Sequence, residues 1–331
     1  MKLCMIGKRG HAFYVFQSIR EIPGIELPCV SSGCGDDPEP LLKMARDNGF
    51  QPEFRADWKA MLDEFRPDVL CIDGPFELHA EMCAEALKRN INVFCEKPIA
   101  LTLEQLEIIR AAYEKSSARI VSMVGLRYEP AFYQAHKMVS AGAVGKVKTV
   151  RAQKSYRLGT RPEFYKHRAT YGGTIPWVGS HALDWILWFS GSDFESVSAI
   201  QTTEDNFGNG DLEIAAHCQF RMKSGVLASA GIDYLRPAAA PTHGDDRVRV
   251  AGTEGVIEVR GGKIHYIGKD GEQVITPETP DRRLFSDFLL ELAGGRPGLV
   301  SDDETFKLTH ACLLAQKAAD TGTTIFFEVI S

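Results

Sequence analysis

Residues 2–12 are Lys-Leu-Cys-Met-Ile-Gly-Lys-Arg-Gly-His-Ala, an apolar run that passes directly into a glycine turn. A short apolar run, a glycine turn and an amphipathic segment are typical of the start of a βαβ unit. The same alternation continues to residue 124, and it predicts a doubly wound parallel sheet over residues 1–124. The predicted strands are 2–6, 25–31, 69–72, 93–95 and 120–124, and the predicted helices are 12–22, 38–48, 58–65, 78–89 and 103–115.

From residue 125 onward, strand-like segments follow one another with short turns between them, which indicates an antiparallel or mixed sheet. We expect residues 125–331 to form an α+β substrate and oligomerisation domain on a large open, mostly antiparallel sheet. Its C-terminal helix is expected to pack back on the first domain. The predicted elements are helices at 130–141, 180–189, 282–293 and 302–320, and strands at 147–156, 324–329 and, separated by glycine turns, between 197 and 275.

The composition is that of an ordinary globular protein. Hydrophobic residues make up 44% of the 331 residues and charged residues 25%, which is enough to bury a full core. The net charge is −6 and the isoelectric point is about 5.9, and no run is rich in lysine or arginine. We therefore expect neither nucleic acid nor an anionic membrane as a partner.

Eight cysteines occur, none of them in a Cys-x-x-Cys pair, and several lie inside apolar runs. This usage is typical of buried, reduced thiols rather than of a disulfide framework or a zinc site. His217 and His243 show no metal-ligand spacing with His181, so no metal is expected. The first residues lack the pattern of a signal peptide, and no stretch of about 18 apolar residues occurs. A cytoplasmic protein is the resulting expectation.

The first glycine turn is similar to the dinucleotide-binding pattern G-x-G-x-x-G/A. Gly7 and Ala12 stand at its first and third positions, while Arg9 stands at the middle one with Gly10 beside it. Arg9 gives up the backbone freedom of a glycine, but its guanidinium can pair with a phosphate.

The second predicted strand ends in Ser31-Ser32, where the pattern wants an acid for the adenosine ribose. Small hydroxyls leave room for a 2′-phosphate, yet no arginine follows directly to bind it. The expected cofactor is therefore NAD or NADP, with the preference open.

Five segments resemble the glucose–fructose oxidoreductase/inositol dehydrogenase/MocA family, and together they extend along nearly the whole chain. They are Asn-Val-Phe-Cys-Glu-Lys-Pro-Ile-Ala at 92–100 after a helix that begins Leu78-His79-Ala80, Gly-Leu-Arg-Tyr-Glu-Pro at 125–130, Gly172-Gly173 followed by Gly-Ser-His-Ala-Leu-Asp at 179–184, Gly-Thr-Glu-Gly at 252–255, and the region from Arg296-Pro297 to Asp320-Thr321-Gly322.

The resemblance implies an NAD(P)-dependent oxidoreductase for a secondary alcohol or ketone of a sugar, a cyclitol or a related polyol. It also implies that Lys97 and His181 are catalytic and face the nicotinamide and the reacting carbon. Residue chemistry agrees, because a lysine at the carboxyl end of a parallel strand lies where such sheets bind ligands. A nearby cationic nicotinamide should lower the pKa of Lys97, and imidazole titrates near neutrality, so both groups suit proton transfer.

Two sets of binding residues are predicted from the glycine pattern and the resemblance together. The cofactor set comprises Gly7, Arg9, Gly10, His11, Ser31, Ser32, Asp73, Pro75, His79, Glu96, Lys97 and Arg127. The substrate set comprises Lys97, Tyr165, Trp177, His181 and Asp184. Asp184 has a second interpretation, in which it orients His181. The basic, aromatic loop with Arg157, Tyr165, Lys166 and Arg168 is either a solvated loop or a source of donors to a polyhydroxylated or acidic substrate.

Two departures from the family pattern keep other functions open. Trp177 stands where an acid is common, four residues before His181, and Asp73-Gly74-Pro75 replaces the usual small residue-Thr-Pro turn. One alternative is a redox-assisted sugar lyase or glycosidase that uses bound NAD. Another is a non-catalytic dinucleotide-binding scaffold or sensor, although Lys97 and His181 argue against it. Asp73, beside the expected cofactor path, could instead bind a ribose hydroxyl.

A homo-oligomer, dimer or tetramer, is expected because the second face of a large one-sided sheet needs to be covered or polar. The predicted strand around Ala228 and Ala230 contains few polar residues for a solvated face. The other expected partner is a small, carbohydrate-like substrate.

Overall fold

The structure is a computed structural model that describes residues 1–327. Its contacts divide the chain into two compact units. The first unit combines Met1–Gly125 with Arg282–Thr309, and the second combines Leu126–Asp281 with the chain from His310 onward. The boundary predicted after residue 124 thus lies at the end of the first segment, but residues 282–309, placed in the second domain from sequence, belong to the first unit.

Within the described residues, the first unit contains a six-stranded parallel sheet in the order β3-β2-β1-β4-β5-β6. The central strands β1 and β4 are almost wholly buried, as expected where helices cover both faces. The strands are β1 Lys2–Ile6, β2 Glu26–Ser31, β3 Glu53–Phe54, β4 Val69–Ile72, β5 Asn92–Cys95 and β6 Ile120–Ser122; the helices are α1 Phe13–Ile19, α2 Glu39–Asp47, α3 Trp58–Phe65, α4 His79–Lys88 and α5 Leu103–Tyr113.

The doubly wound parallel sheet predicted from the alternating pattern is confirmed. Strand order reverses between β1 and β4, and the crevice beyond the carboxyl ends of strands at such a reversal is the ligand site of this fold. The helix predicted at 12–22 ends at Ile19, because Pro23 and Gly24 turn the chain toward β2. The two-residue strand β3 was not predicted, since so short a segment shows no periodicity.

Among the described residues, the second unit contains a nine-stranded sheet in the order β14-β13-β12-β11-β7-β10-β9-β8-β15. Of its described strand pairs, β7 with β10 is parallel and the others are antiparallel, which confirms the mostly antiparallel sheet. The strands are β7 Val147–Ser155, β8 Phe194–Thr202, β9 Ala215–Met222, β10 Leu227–Asp233, β11 Arg247–Gly252, β12 Val256–Arg260, β13 Lys263–Gly268, β14 Gly271–Ile275 and β15 Ile325–Phe326; the helices are α6 Pro130–Ser140, α7 Arg168–Tyr171 and α8 Ser180–Ser190.

One face of this sheet is covered by helices, because α8 packs on β7 and β10 and α6 packs on β12 and β13. Side chains in β9 alternate accordingly: Cys218 is buried and His217 is exposed. Ala228 and Ala230 in β10 pair with buried positions of β9 and are themselves buried. The low polarity of that strand therefore belongs to the helix-covered face, and the sequence argument that used it for oligomerisation is wrong on this point. The end of the strand predicted at 324–329 lies outside the described residues.

The two last helices are α9 Leu284–Leu292 and α10 Asp302–Thr321. In the first unit, Phe285 of α9 packs on Phe94 of β5 with ring centroids 4.6 Å apart. At the start of α10, the buried Asp302 carboxylate accepts hydrogen bonds from the Tyr113 hydroxyl, at 2.8 Å, and from the Arg119 guanidinium. These contacts explain why residues 282–309 complete the first unit despite their distance in sequence.

Three further findings concern the described chain as a whole. No helix within residues 1–327 is long and apolar enough to span a bilayer. All eight cysteines are described; seven are buried, Cys34 is exposed, and none is in a disulfide. No three histidine, cysteine, aspartate or glutamate side chains of the described residues are arranged to hold a metal ion.

Asp302→Ala tests the attachment of the C-terminal segment. It should lower the free energy of unfolding by about 2 kcal/mol, because it removes three hydrogen bonds, from Tyr113, Arg119 and the Ile120 N–H, and leaves the Arg119 cation without one carboxylate. Asp303→Ala is the control, since Asp303 is exposed and pairs with Lys307 alone among the described residues; it should cost below about 0.5 kcal/mol. Urea unfolding followed by circular dichroism measures both, and equal midpoints for the two variants would show that Asp302 is not an anchor.

Candidate functional site

The predicted cofactor residues of the first unit lie at one edge of its sheet, at or just beyond the carboxyl ends of four strands. They are Gly7, Arg9, Gly10 and His11 after β1, Ser31 and Ser32 at the end of β2, Asp73, Pro75 and His79 after β4, and Glu96 and Lys97 after β5. This is the edge at which the strand order reverses, so the sheet itself brings the predicted set together.

The glycines of the first turn allow the loops to touch. Gly7 has a φ of +74°, and a Cβ there would lie 2.3 Å from the Cα of Gly74 in the loop after β4. A Cβ on Gly10 would lie 2.8 Å from both the Asp73 carboxylate and the Glu96 side chain. Glycine is therefore required at both positions, and the backbone of the turn is held against two acidic side chains.

Asp73 faces inward, toward the turn. Its two carboxylate oxygens accept hydrogen bonds from the backbone N–H groups of Gly10 at 2.6 Å and Ala12 at 2.7 Å. Its backbone carbonyl accepts from the N–H of Arg9 at 2.8 Å. The side chain is fully buried within the first unit. Its contact with a ribose stays a prediction. The carboxylate occupies the amide groups at the start of α1 that the dinucleotide pattern offers to a pyrophosphate.

Glu96 completes the acidic pair. It accepts from the His11 backbone N–H at 3.1 Å, and its Oε2 lies 2.8 Å from His11 Nδ1. Burial opposes ionisation of Glu96, but His11, Lys97 and His79 together hold its pKa below the ordinary value. Burial, with the neighbouring charge of Glu96, raises the pKa of Asp73 well above the ordinary value, although its two N–H bonds work the other way. The negative charges of the two neighbouring carboxyl groups therefore oppose each other.

Lys97 follows β5 and is 4% exposed. Its Nζ lies 3.7 Å from Oε1 of Glu96. A buried ammonium is costly unless a carboxylate lies nearby, and Glu96 supplies that carboxylate. The end of β5 thus presents a lysine whose cationic form is supported from within the first unit.

His79 joins two of the loops. Its Nδ1 lies 2.9 Å from the carbonyl oxygen of Pro98 and its Nε2 lies 3.2 Å from that of Gly74, and burial lowers its pKa. Both ring nitrogens face backbone, so the arrangement suits a side chain that supports the cofactor loops rather than one that contacts a cofactor through its nitrogens. Pro75 is also buried, and its Cδ is among the atoms closest to the Cβ position of Gly33.

Arg9 is held by the loop that follows β2. Its guanidinium donates two hydrogen bonds to the Asp36 carboxylate, at 2.7 and 2.9 Å, and its Nη1 lies 3.7 Å from Glu77. The loop after β2 carries the acid for the adenosine ribose in this fold. Strand β2 ends at Ser31 without an acid, but Asp36, five residues further on, supplies one in this loop.

Ser31 and Ser32 are buried at the end of β2. The carbonyl oxygen of Ser31 accepts from the Gly7 N–H at 2.8 Å, and its hydroxyl accepts from the Gly33 N–H at 3.2 Å. Both serines therefore shape the floor of this edge, with Ser31 tied to the first turn.

A dinucleotide fits the frame of this edge in three respects. The glycine turn leaves no room for side chains at Gly7 and Gly10, the crevice lies at the strand reversal, and Asp36 is available for a ribose. It meets one obstacle, since Asp73 and Glu96 already take the turn amides. The pyrophosphate would have to exchange with these carboxylates or lie beside them.

In the second unit, a buried glutamate fixes the segment that leads to His181. Oε2 of Glu213 accepts from the Thr174 backbone N–H at 2.9 Å and from the Tyr171 hydroxyl at 3.0 Å, and Arg168 donates to its other oxygen. A Cβ on the neighbouring Gly173 would lie 2.5 Å from the side chain of Gln316. The glycine turn is thus anchored on both sides.

Residues Ile175–Gly179 form one turn of π-helix that continues into α8. Such turns occur often at functional sites. Trp177 lies in this turn and His181 in the first turn of α8, and each is 5% exposed. The ring of Trp177 lies 5.7 Å from that of Tyr165, so two of the predicted substrate residues are neighbours.

Arg127 and Asp184 form a buried ion pair within the second unit. Nη2 of Arg127 donates to Asp184 at 2.6 Å, and its Nε lies 3.0 Å from both carboxylate oxygens. The guanidinium also lies 5.4 Å from the ring of Trp188. The sequence assigned these two residues to cofactor and substrate separately and did not anticipate their pairing; both contacts stay predictions.

Two residues of these sites, Asp36 and Glu213, are not among those predicted from the sequence. Asp36 had a weak signal, the acidic pair Asp36-Asp37 just beyond a serine-glycine turn. Glu213 also had a signal, an acid at the beginning of a predicted strand that is otherwise apolar. In neither case does the local pattern reveal the partner, which lies far away in the sequence.

Two protein-family models match the chain. Residues 5–124 match the oxidoreductase family with an NAD-binding Rossmann fold, and residues 132–258 match the GFO/IDH/MocA C-terminal domain. A solved structure of a Thermotoga maritima protein, whose oxidoreductase assignment is unproven, is 40% identical, with a TM-score of 0.95 over 99% of this chain and 100% of that one.

Curated relatives include dehydrogenases of cyclitols. The inositol 2-dehydrogenase of Salmonella typhimurium is 28% identical over 142 residues, which are 43% of this chain but only 40% of that enzyme's length. The scyllo-inositol 2-dehydrogenase (NAD(+)) of Bacillus subtilis is 26% identical over 260 residues, covering 76% of this chain and 71% of that enzyme.

Asp73→Ala tests whether its carboxylate competes with a dinucleotide. The variant frees the N–H groups of Gly10 and Ala12, so NADH should bind on the order of tenfold more tightly, since 1.4 kcal/mol is tenfold in affinity. Titration followed by nicotinamide fluorescence measures this, with thermal unfolding to confirm the fold.

Asp68→Ala is the matched control for this experiment. Asp68 also accepts a backbone N–H, that of Lys2 at 2.7 Å, but it lies before β4, at the opposite end of the same strand. Its removal should leave NADH affinity unchanged. Unchanged or weaker NADH binding by Asp73→Ala would show that its carboxylate does not compete.

Proposed function

The chain belongs to the GFO/IDH/MocA family of NAD-binding oxidoreductases, and from this premise we propose that it oxidises or reduces a secondary alcohol or ketone of a sugar, a cyclitol or a related polyol. The observation that carries the proposal is the buried Lys97 beside Glu96, at the carboxyl edge of a parallel sheet. The cyclitol dehydrogenases among the relatives support the substrate class.

Lys97 is proposed to bind the reacting oxygen of the substrate. The dinucleotide, when bound, accepts or supplies the hydride. Because Glu96 favours the ammonium form, Lys97 Nζ would donate a hydrogen bond to the oxygen and stabilise the negative charge that develops on it. Glu96 would keep this ammonium in place.

His181 is proposed to carry the proton that the hydroxyl gains or loses. An imidazole titrates near neutrality, and the helix start that bears it is fixed by Glu213 through Thr174. Trp177 cannot exchange a proton, so its role is to shape the substrate wall with Tyr165.

NAD rather than NADP is the proposed cofactor. The Asp36 carboxylate, 37% exposed, can accept the ribose hydroxyls and would repel a 2′-phosphate. Arg9, the nearest candidate for a phosphate partner, is engaged by that same carboxylate.

A cytoplasmic homo-oligomer, dimer or tetramer, is also proposed. The reduced thiols, seven of eight buried within residues 1–327, support a reducing compartment. Ile200 and Leu227, on the face of the second sheet away from α8, are each more than half exposed and support association through that face.

A second candidate, a non-catalytic dinucleotide sensor, is favoured by one observation. The acidic pair Asp73 and Glu96 takes the turn amides, which would weaken cofactor binding. NADH binding without turnover of any inositol or aldose would favour this candidate over the dehydrogenase, and absence of NADH binding by both the wild type and Asp73→Ala would contradict both candidates.

Lys97→Ala tests the catalytic assignment. It should reduce kcat/KM by at least about a thousandfold, as loss of an oxyanion donor does, and leave NADH affinity within about twofold. The measurement is a steady-state assay at 340 nm with inositols and aldoses, together with an NADH titration. Lys88→Ala, on the exposed face of α4, is the control.

Retained turnover in Lys97→Ala would remove Lys97 from the mechanism. Product formation without net change in nicotinamide absorbance, detected by chromatography, would replace the dehydrogenase by the redox-neutral lyase or glycosidase.

Asp36→Asn tests the cofactor preference. It removes the charge that repels a 2′-phosphate and releases Arg9, so the ratio of NADPH to NADH affinity should rise on the order of tenfold. Parallel fluorescence titrations measure the ratio. Asp37→Asn changes the adjacent exposed acid and should leave it unaltered; a wild-type preference for NADPH would contradict the proposal.

A further inference from the structure

An arginine in the second unit is surrounded by tyrosine rings. The Cζ of Arg161 lies 5.5 Å from the ring centroids of Tyr156 and Tyr165 and 4.7 Å from that of Tyr234. The rings of Tyr156 and Tyr234 meet edge to face at 5.1 Å. Three aromatic faces thus hold one guanidinium, an arrangement that stabilises the cation and fixes its orientation.

This guanidinium is not neutralised by the protein. No carboxylate of the described residues lies within 4.0 Å of Arg161 or of its neighbour Arg157. Arg161 Nη2 reaches the carbonyl oxygen of Arg157 at 3.5 Å, and Arg157 donates to the carbonyl oxygen of Ala240. The Nε atoms of both arginines are buried without a hydrogen-bond acceptor among residues 1–327.

The buried Arg127 and the half-buried Arg168 of this unit behave differently. Arg127 is paired with Asp184, and Arg168 is paired with Glu213. Arg157 and Arg161 are partly buried. Taking even part of a cation out of water without a counter-charge is costly, and such groups are candidates for ligand binding. Because they have no carboxylate partner within residues 1–327, Arg157 and Arg161 are candidates for binding an anionic ligand.

The local electrostatic balance is positive. Lys154 adds a third cation, and Asp246 pairs with it at 2.5 Å. The ring of His243 lies 5.2 Å from that of Tyr156, and burial together with Arg161, Arg157 and Lys154 lowers its pKa. Glu129 also lies near Lys154 and Asp246, so two carboxylates stand against three cations and the balance stays positive.

The cluster adjoins the substrate residues of the same unit. Tyr165, which faces Arg161, lies 5.7 Å from Trp177, and Trp177 precedes His181 by four residues. Tyr165 therefore contacts both the guanidinium of Arg161 and the ring of Trp177, with which it forms the wall assigned to the substrate.

We propose that Arg161, assisted by Arg157, forms a subsite for a carboxylate group, so that the substrate is an acidic sugar such as an aldonate or a uronate. The inference rests on the proposed polyol function and deepens it by naming the substrate class. The planar guanidinium matches a carboxylate in size and binds it through two parallel hydrogen bonds. The tyrosine rings cover part of the guanidinium, and the lower local polarity strengthens this contact.

Binding measurements test the subsite without turnover. With NADH saturating, calorimetry compares D-gluconate and D-glucuronate with D-glucose and with D-glucose 6-phosphate. The wild type should bind at least one of the two acids ten times or more tightly than glucose. Arg161→Ala should weaken the binding of that acid at least thirtyfold and change glucose affinity less than threefold. The affinity of Arg161→Lys for the acid should lie between those of the wild type and Arg161→Ala.

Arg221→Ala is the control variant, because Arg221 is exposed on β9 and pairs with Glu195. It should bind the acids as the wild type does. Circular dichroism and thermal unfolding confirm that each variant is folded, and Arg161→Lys provides a milder change if Arg161→Ala unfolds.

Three outcomes overturn the proposed subsite. They are no preference of the wild type for either acid over glucose, tighter binding of the sugar phosphate than of both acids, and an equal loss of affinity for acid and neutral sugar in the Arg161 variants. An acid that binds through Arg161 and is neither oxidised nor reduced supports the subsite and contradicts the dehydrogenase. Turnover of neutral polyols without acid preference supports the dehydrogenase and overturns the subsite.

Discussion

The hydrogen bonds from Gly10 and Ala12 to the Asp73 carboxylate are the contacts on which the candidate cofactor site of the first unit depends. They join the turn after β1 to the loop after β4, across the strand reversal where ligands bind in this fold. Without them, two amide groups of a tight turn would need another acceptor. The protein provides its own anion where the fold usually receives one from a ligand, and Glu96 does the same one residue along the turn, at His11.

Much of the architecture could be predicted from the sequence, because it depends on periodicity. Alternating apolar and amphipathic segments predict the parallel sheet, and β1, α3 and β4 have the predicted bounds. The site was harder to predict because it depends on how distant loops meet. Asp73 was singled out as unusual, but its inward orientation follows from the contact between Gly7 and Gly74, which no local pattern encodes. The same limit applies to Asp36, whose partner is 27 residues away.

The second unit uses buried charge in two ways. Glu213 and the pair Arg127–Asp184 are satisfied by nearby groups, and they fix the approach to α8 and the helix itself. Such fully bonded polar groups favour one arrangement of the backbone over its alternatives. Arg161 instead lies among three tyrosine rings, and no carboxylate of the described residues forms an ion pair with it. The basic, aromatic character of this loop is visible in the sequence, but which of its cations are paired depends on residues that are distant along the chain.

The edges of the second sheet have a consequence for how copies of the chain can meet. An open sheet ends in strands whose free N–H and C=O groups invite another strand to add, and proteins limit this with short or charged edges. Within the described chain, one edge is β15, which is two residues long, and the other is β14, which includes the exposed Glu272. Neither edge is a good template for continuing the sheet into a second molecule. Within residues 1–327, these edges therefore disfavour end-to-end growth of the sheet, which could extend into fibres.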